Sequence, residues 1–224
     1  MDVPGNLITA GRDSDIFECG KGKVLRRSRH GRSQTSEART MEFVRSRGYP
    51  APEVFSVSDD GIDLVMARIE GPTMIEAASA QPWKLKGFGR ELAELHQSLH
   101  LLRAPEWLSA APCGSGERLL HMDLHPLNVI LSSKGPVVLD WTGAVRGDPL
   151  VDVAATWVLL ASGNVTSSRV QAMMVNVGRN VLLKAFLEPF SKTELVSVLS
   201  DVVEWKSRDP NMSASEVERM RSLL

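Results

Sequence analysis

Cysteine is scarce: Cys19 and Cys113 are the only two in 224 residues. Two are too few for a disulfide scaffold, and their spacing fits no metal motif, which points to free thiols in a reducing compartment. No apolar run approaches the roughly 20 residues that span a bilayer. The first residues, Met-Asp-Val-Pro-Gly-Asn, have neither the basic segment nor the apolar core of a secretory leader. No sign of charge dominates. Lys plus Arg number 26 against 27 Asp plus Glu, with an isoelectric point near 6.5, so the global balance draws the chain neither to nucleic acid nor to an anionic membrane. No repeat of solenoid length and no low-complexity tract is present. What remains is 43% hydrophobic and 24% charged, ordinary for a globular protein. The length allows one domain or two small ones with a sizeable core. A cytoplasmic protein is expected.

The first 70 residues read as strand-rich. Asp15 to Cys19 alternates apolar and polar residues, Gly20 to Gly22 is a turn, and Lys23 to Arg27 is a second strand, so the pair reads as a hairpin. Ser33 to Arg47 carries a helical pattern, with Ala38, Met41, Phe43 and Val44 near one face. Ser33 or Thr35 supplies its cap and Gly48 its stop. Pro50-Ala-Pro52 enforces extended chain. Val54 to Val57 and Ile62 to Ile69 are two further strands around the Asp59-Asp60-Gly61 turn. The order is three strands, one helix, two strands, closed by Gly71-Pro72. Beyond it the chain is mostly helical. Trp83 to Leu102 has Leu85, Phe88, Leu92, Leu95 and Leu99 at helical spacing, and residues 103 to 117 read as a loop. Asn128 to Leu131 and Pro136 to Leu139 form a small hairpin around Ser132-Ser-Lys-Gly135. Helix is expected from Asp148-Pro149 to the end, with breaks near Gly163, Pro189 and Asp209-Pro210.

The chemistry concentrates in His121-Met-Asp123-Leu-His125-Pro-Leu-Asn128, followed by Asp140 in Val-Val-Leu-Asp140-Trp141. An Asp, an Asn five residues on, a hairpin and a second Asp make a phosphotransfer set. Asp123 accepts or orients the proton of an attacking hydroxyl, and Asn128 and Asp140 hold Mg²⁺ against nucleotide phosphates. A His121, His125 and Asp123 metal site would block the base, and the spacing does not suggest one.

These motifs resemble the aminoglycoside phosphotransferase and choline kinase family, a small-molecule branch of the protein-kinase-like fold. The resemblance covers about 160 residues, from Leu7 to roughly Leu160, and its catalytic segment is the specific part. It implies an α+β, protein-kinase-like two-lobed fold, with a small five-stranded antiparallel N-terminal lobe carrying one helix and a mostly helical C-terminal lobe. Residues 1–70 form the nucleotide-binding lobe, and residues 71–224 the helical lobe with the catalytic loop 121–128 and the metal motif 139–141. It implies ATP and Mg²⁺ as cofactors and catalytic roles for Asp123, Asn128 and Asp140, the last two as metal ligands.

On the nucleotide side, the resemblance puts Val24 over adenine and Arg26 on the phosphates, where the family usually has Lys; Arg keeps the charge but is bulkier and forked. Glu37 is its ion-pair partner, with a solvated helix-start carboxylate as the alternative. The phosphate-covering loop is Ala10 to Asp15, with Gly11 and Ser14 offered to phosphate; only Gly11 matches a glycine-rich loop, and a plain hairpin turn is the other reading. Met66 sits behind adenine, and the Ala67 carbonyl and Ile69 amide meet its edge, unless Met66 and Ile69 are simply core. His121 and Asp152 brace the catalytic loop. His125 shapes the loop or touches phosphate or acceptor. Thr142 stands where relatives often carry an acid.

The run Arg26-Arg27-Ser-Arg29-His-Gly-Arg32 lacks interleaved aromatics and reads as a solvated loop rather than a nucleic-acid surface. Met173, Met174, Trp83, Trp107, Trp157 and Trp205 read as packing residues. From Ala155 onward seven acids face eight bases, no excess for a polycationic acceptor. A smaller or less cationic hydroxyl acceptor is therefore expected. The function read from the sequence is transfer of the γ-phosphate of ATP to a hydroxyl of a small molecule. The alternative is a nucleotide-binding pseudokinase acting as a regulatory or partner-binding module.

Overall fold

The computed structural model describes residues 4–11, 13–163 and 169–224, with side chains left undescribed over 169–176. The backbone at Arg12 and the side chains of Met173 and Met174 fall outside these residues.

The chain divides into two compact units, Met1–Thr73 with Asn128–Ala144, and Met74–Leu127 with Val145–Leu224. The first unit holds a five-stranded antiparallel sheet of β1 (Leu7–Ala10), β2 (Ser14–Glu18), β3 (Lys23–Ser28), β4 (Val54–Val57) and β5 (Asp63–Ala67), in the order β1-β2-β3-β5-β4. Between β3 and β4 runs α1 (Thr35–Ser46), which buries Ala38, Met41 and Val44 together with the polar Glu37 and Thr40. The helical spacing of Ala38, Met41 and Val44 dictates that face. Its cap differs from expectation. Gln34 is the N-cap and makes no side-chain cap bond. Its amide is used instead to join strands, donating to the carbonyls of Arg26 and Ile62. Gly48 ends the turn in left-handed backbone, φ 80°, as glycine permits.

Alternation along β3 gives its two faces different work. Leu25 packs with Cys19, Val65 and Phe17, while Arg27 forks onto both oxygens of Asp63 at 2.7 and 2.6 Å. Arg26 points to the opposite face. The expected strand Ile62 to Ile69 is shorter, ending at Ala67, so Ile69 lies beyond it.

The hairpin of β7 (Val129–Ser132) and β8 (Gly135–Val138) belongs to the first unit. It is tied there by Leu131 N–H to Pro72 C=O and Val138 N–H to Pro50 C=O, both 2.9 Å. Gly71 makes the first tie possible. Its φ is +143°, and a Cβ there would stand 2.3 Å from the Leu131 carbonyl oxygen. Gly71→Ala is therefore expected to cost about 1–3 kcal/mol, read as a lowered denaturant midpoint with an unchanged slope.

The second unit is mostly helical: α2 (Met74–Ala80), α3 (Leu85–Leu99), α4 (Pro149–Ser162), α5 (Arg169–Leu187), α6 (Lys192–Ser207) and α7 (Ala214–Arg221). Helix α3 starts two residues later than its apolar pattern implies, because Pro82–Lys84 forms a 3₁₀ turn. Phe88, Leu92, Leu95 and Leu99 are buried along α3 as the spacing predicts, joined by His96. Gly89 lets α5 approach, since a Cβ there would lie 2.4 Å from the Leu182 carbonyl oxygen. Asp148 caps α4, accepting from Leu150 N–H at 2.9 Å with Pro149 in the first turn, which suits a residue without a donor. Two short strands absent from the expectation, β6 (Arg118–Leu120) and β9 (Val145–Gly147), pair antiparallel. No helix among the described residues is long and apolar enough to cross a membrane.

Candidate functional site

The expected residues fall into two constellations, one in each unit. In the first, Arg26 binds three groups at once. Its Nε–H donates to Ser14 Oγ at 2.7 Å, Nη1 pairs with Glu37 Oε1, and Nη2 lies 3.5 Å from Asp140 Oδ1. The planar fork makes this triple engagement possible where an ammonium would act as a point charge. Glu37 is no solvated helix-start carboxylate: it is buried. Its Oε1 also accepts from Trp141 N–H at 3.2 Å, while Oε2 has no partner. Burial pushes the Glu37 carboxyl up to about 7; the Arg26 guanidinium pulls it back, Asp140 raises it further, and the Trp141 N–H lowers it.

Asp140 sits in left-handed backbone, φ 59° and ψ 71°, a costly conformation for a residue with a side chain. Trp141 pins it. The indole is buried, donates Nε1–H to Val138 C=O at 3.1 Å, and meets Tyr49 edge-on with centroids 5.6 Å apart. The Asp140 carboxylate is then oriented by Thr142 Oγ1–H on Oδ1 at 2.6 Å. Its Oδ2 takes no hydrogen bond among the described residues, and the side chain is 38% exposed. Asn128 begins the same hairpin, its carbonyl accepting from Leu139 N–H at 2.8 Å. An open carboxylate oxygen and an amide at the two ends of one hairpin are hard-oxygen donors of the kind Mg²⁺ accepts, so the chemistry of Asp140 and Asn128 fits that ion.

Gly11 and Ser14 close the β1–β2 hairpin, Gly11 N–H donating to Ser14 C=O at 2.9 Å. A Cβ on Gly11 would meet that oxygen at 2.7 Å. This is the hairpin-turn geometry, and the Ser14 hydroxyl is engaged by Arg26. Val24 is buried and pairs across the ladder with Met66, which is half-buried. Ala67 N–H is taken by Glu53 C=O at 2.8 Å, whereas the Ile69 N–H has no protein acceptor among the described residues.

In the second unit, both neighbours of Asp123 are anchored from below. Met122, at φ 67°, donates its N–H to Asp152 Oδ1 at 2.6 Å, and His121 N–H donates to Oδ2 at 3.1 Å. The Leu124 carbonyl accepts from Thr156 Oγ1–H at 2.8 Å and lies 3.2 Å from His96 Nε2. Asp152 is fully buried and also meets His100 Nε2 at 2.9 Å. Burial alone would raise its carboxyl; the His100 hydrogen bond and the nearby His96, whose Nδ1 lies 3.6 Å from Oδ2, outweigh that and hold it well below the carboxylate range.

Asp123 itself stands out of this base with its side chain 36% exposed. His121 Nδ1 accepts its N–H at 3.3 Å. His125 Nε2 lies 3.5 Å from Oδ2, and Lys206 Nζ lies 3.8 Å from Oδ1. Burial opposes ionisation, but the hydrogen bond and charge of His125, then Lys206 and His121, lower its carboxyl below the ordinary value. Two contributors escaped the sequence reading. His96 is a histidine on the apolar stripe of α3, and that placement was the available signal. Lys206 gave no local signal, because it reaches Asp123 from 83 positions away in the chain.

Residues 101–175, which contain this loop and the hairpin, match the phosphotransferase enzyme family. Over 72 residues the chain is 36% identical to a thiamine kinase of Escherichia coli (strain SMS-3-5 / SECEC). That match takes in 32% of this chain and 22% of the kinase, about a fifth of the relative's length. Among solved structures, a choline/ethanolamine kinase family protein from Mesorhizobium loti superposes with a TM-score of 0.64 at 16% identity, covering 98% of this chain and 88% of that one. An aminoglycoside phosphotransferase in ternary complex with streptomycin and ATP superposes with a TM-score of 0.59 at 16% identity, covering 97% and 91%. The fold of the chain is thus kinase-like, α+β with a five-stranded antiparallel sheet.

Proposed function

We propose that this phosphotransferase-family chain transfers the γ-phosphate of ATP, with Mg²⁺, to a hydroxyl of a small molecule. The observation that carries the reading is Asp140. A strained left-handed aspartate, pinned by a buried tryptophan and held in one cluster with Arg26 and Glu37, has no structural use that a glycine or asparagine would not serve at lower cost. In this reading Arg26 binds the phosphates, Glu37 holds Arg26, and Asn128 and Asp140 hold the ion, which neutralises charge on the nucleotide phosphates when bound. Gly11 and Ser14 lie at the phosphate turn, and Val24, Met66, Ala67 and Ile69 at the adenine. Asp123 orients the acceptor hydroxyl and takes its proton as the hydroxyl oxygen bonds to the γ-phosphorus and the bond to ADP breaks. The proton then passes to solvent.

The test is transfer from γ-labelled ATP, with Mg²⁺, into a pooled library of hydroxyl metabolites and antibiotics, with Asp123→Asn as the blank. A labelled product made by the wild type alone is the expected result. Clear Mg·ATP binding without product would support the nucleotide-binding module, which Arg26 favours by reaching within 3.5 Å of the proposed metal ligand Asp140.

A further inference from the structure

Lys206, near the end of α6, is a buried cation. Its side chain is 9% exposed, its Nζ lies 3.2 Å from Asp209 Oδ2 and 3.8 Å from Asp123 Oδ1, and it stands 5.3 Å from the centre of the Trp205 ring. A buried ammonium needs counter-charge, and Asp209, three residues on, supplies the nearer one. The ammonium is nonetheless placed against the carboxylate to which the proposed reaction brings the acceptor hydroxyl. Without Lys206, Asp123 and Asp209 would be two adjacent carboxylates, the arrangement that draws an acceptor's ammonium group. Lys206 fills that place with the protein's own. The charge balance of the segment agrees: from Ala155 to the end, seven acids face eight bases, with no excess of negative charge.

Building on the phosphotransferase reading, we propose that Lys206 sets acceptor specificity. The acceptor carries an oxygen next to its reacting hydroxyl, as in a polyol or a hydroxy acid. That oxygen accepts from Lys206 Nζ while Asp123 takes the hydroxyl. Acceptors with an ammonium beside the reacting hydroxyl are excluded by like charge, a repulsive selection against the wrong ligand. Losing a charged donor to a bound oxygen is worth roughly 10–100-fold in affinity.

Equilibrium binding, independent of turnover, tests this. Full-length wild type and Lys206→Met are titrated calorimetrically with D-glycerate, xylitol and kanamycin A, in the presence of Mg·AMP-PNP. Wild type is expected to bind D-glycerate or xylitol, the two arms separating an anionic from a neutral oxygen acceptor, and to bind kanamycin A more weakly than the variant does. Lys206→Met is expected to lose about 10–100-fold for the oxygen probes while gaining kanamycin A. Opposite shifts are the signature, because a merely structural lysine would weaken every probe together. Should Lys206→Met fail to fold, Lys206→Gln serves the same comparison. Parallel weakening, equal kanamycin A binding by both proteins, or binding of no probe by the wild type would overturn the proposal. Absence of label transfer in the earlier assay would instead count against the phosphotransferase reading alone.

Discussion

Asp123→Asn is expected to lower turnover by about 10²–10⁴-fold, the range supplied by a positioned general base, and to leave Mg·AMP-PNP binding unchanged. The separation follows from where the groups sit. Arg26, Glu37 and Asp140 form one hydrogen-bonded cluster in the first unit, and Asp123 belongs to the second. The amide is nearly isosteric and keeps an oxygen for a hydroxyl to donate to, but it takes no proton. The backbone anchors on Met122 and Leu124 come from Asp152, Thr156 and His96 and do not involve the Asp123 side chain, so the loop keeps its shape. Steady-state ADP release and calorimetric nucleotide titration check the two halves. Loss of nucleotide binding in step with turnover would show that Asp123 serves the nucleotide rather than the acceptor.

A second consequence of the neighbours of Asp123 concerns pH. Its carboxyl is held below the ordinary value, so Asp123, the proposed base, is ionised throughout the neutral range. Turnover should therefore fall on the acid side only below the ordinary carboxylate range. Replacing Lys206 by Met removes one of the lowering charges and should move that acid limb upward.

The sequence carried the hairpin strands, α1, α3 and the breaks among the later helices because each is written locally. Period-2 and period-3.6 patterns and Gly or Pro punctuation need no tertiary knowledge. Ala38, Met41 and Val44 on α1 and Phe88, Leu92, Leu95 and Leu99 on α3 are buried as spaced. Strands β6 and β9 were not legible, because three residues carry no period and their pairing, Arg118 with Gly147, joins distant segments. The pairing of Arg26 with Glu37 was legible through the family resemblance, with which strand alternation and helix position agree. The bond from Glu37 to the Trp141 amide was not, since it spans 104 positions. Lys206 was illegible for the same reason: a lysine in an amphipathic helix looks like solvent-facing charge until the chain is folded. Gln34 as the N-cap of α1 was likewise not legible, because its side-chain amide is spent on carbonyls 8 and 28 positions away, those of Arg26 and Ile62.

Asp152 carries the largest expected effect on stability. It is buried and accepts from two loop amides and from His100. Asp152→Ala would strand the N–H groups of His121 and Met122 and leave the His100 imidazole without its acceptor. Removing one partner of such a buried charged network costs about 3–5 kcal/mol. At roughly 2–4 °C per kcal/mol for a chain of this size, the melting temperature should fall by about 6–20 °C. The pH dependence identifies the carboxylate as the cause. The folded carboxyl lies well below its ordinary value, so its contribution is present above the unfolded value near 4 and is lost as pH falls toward the folded one. The wild type should therefore lose stability more steeply below about pH 4 than Asp152→Asn, which cannot titrate there. Melting temperatures between pH 3 and pH 7 for the two proteins provide the measurement, and parallel curves would mean that Asp152 holds the loop as a neutral acceptor. Met122 then gives the functional reading. Asp152 holds the left-handed Met122 and its neighbour His121 with one oxygen each, and asparagine has a single oxygen for the two amides, so Asp152→Asn should reduce kcat through misplacement of Asp123 even at temperatures where the variant is fully folded.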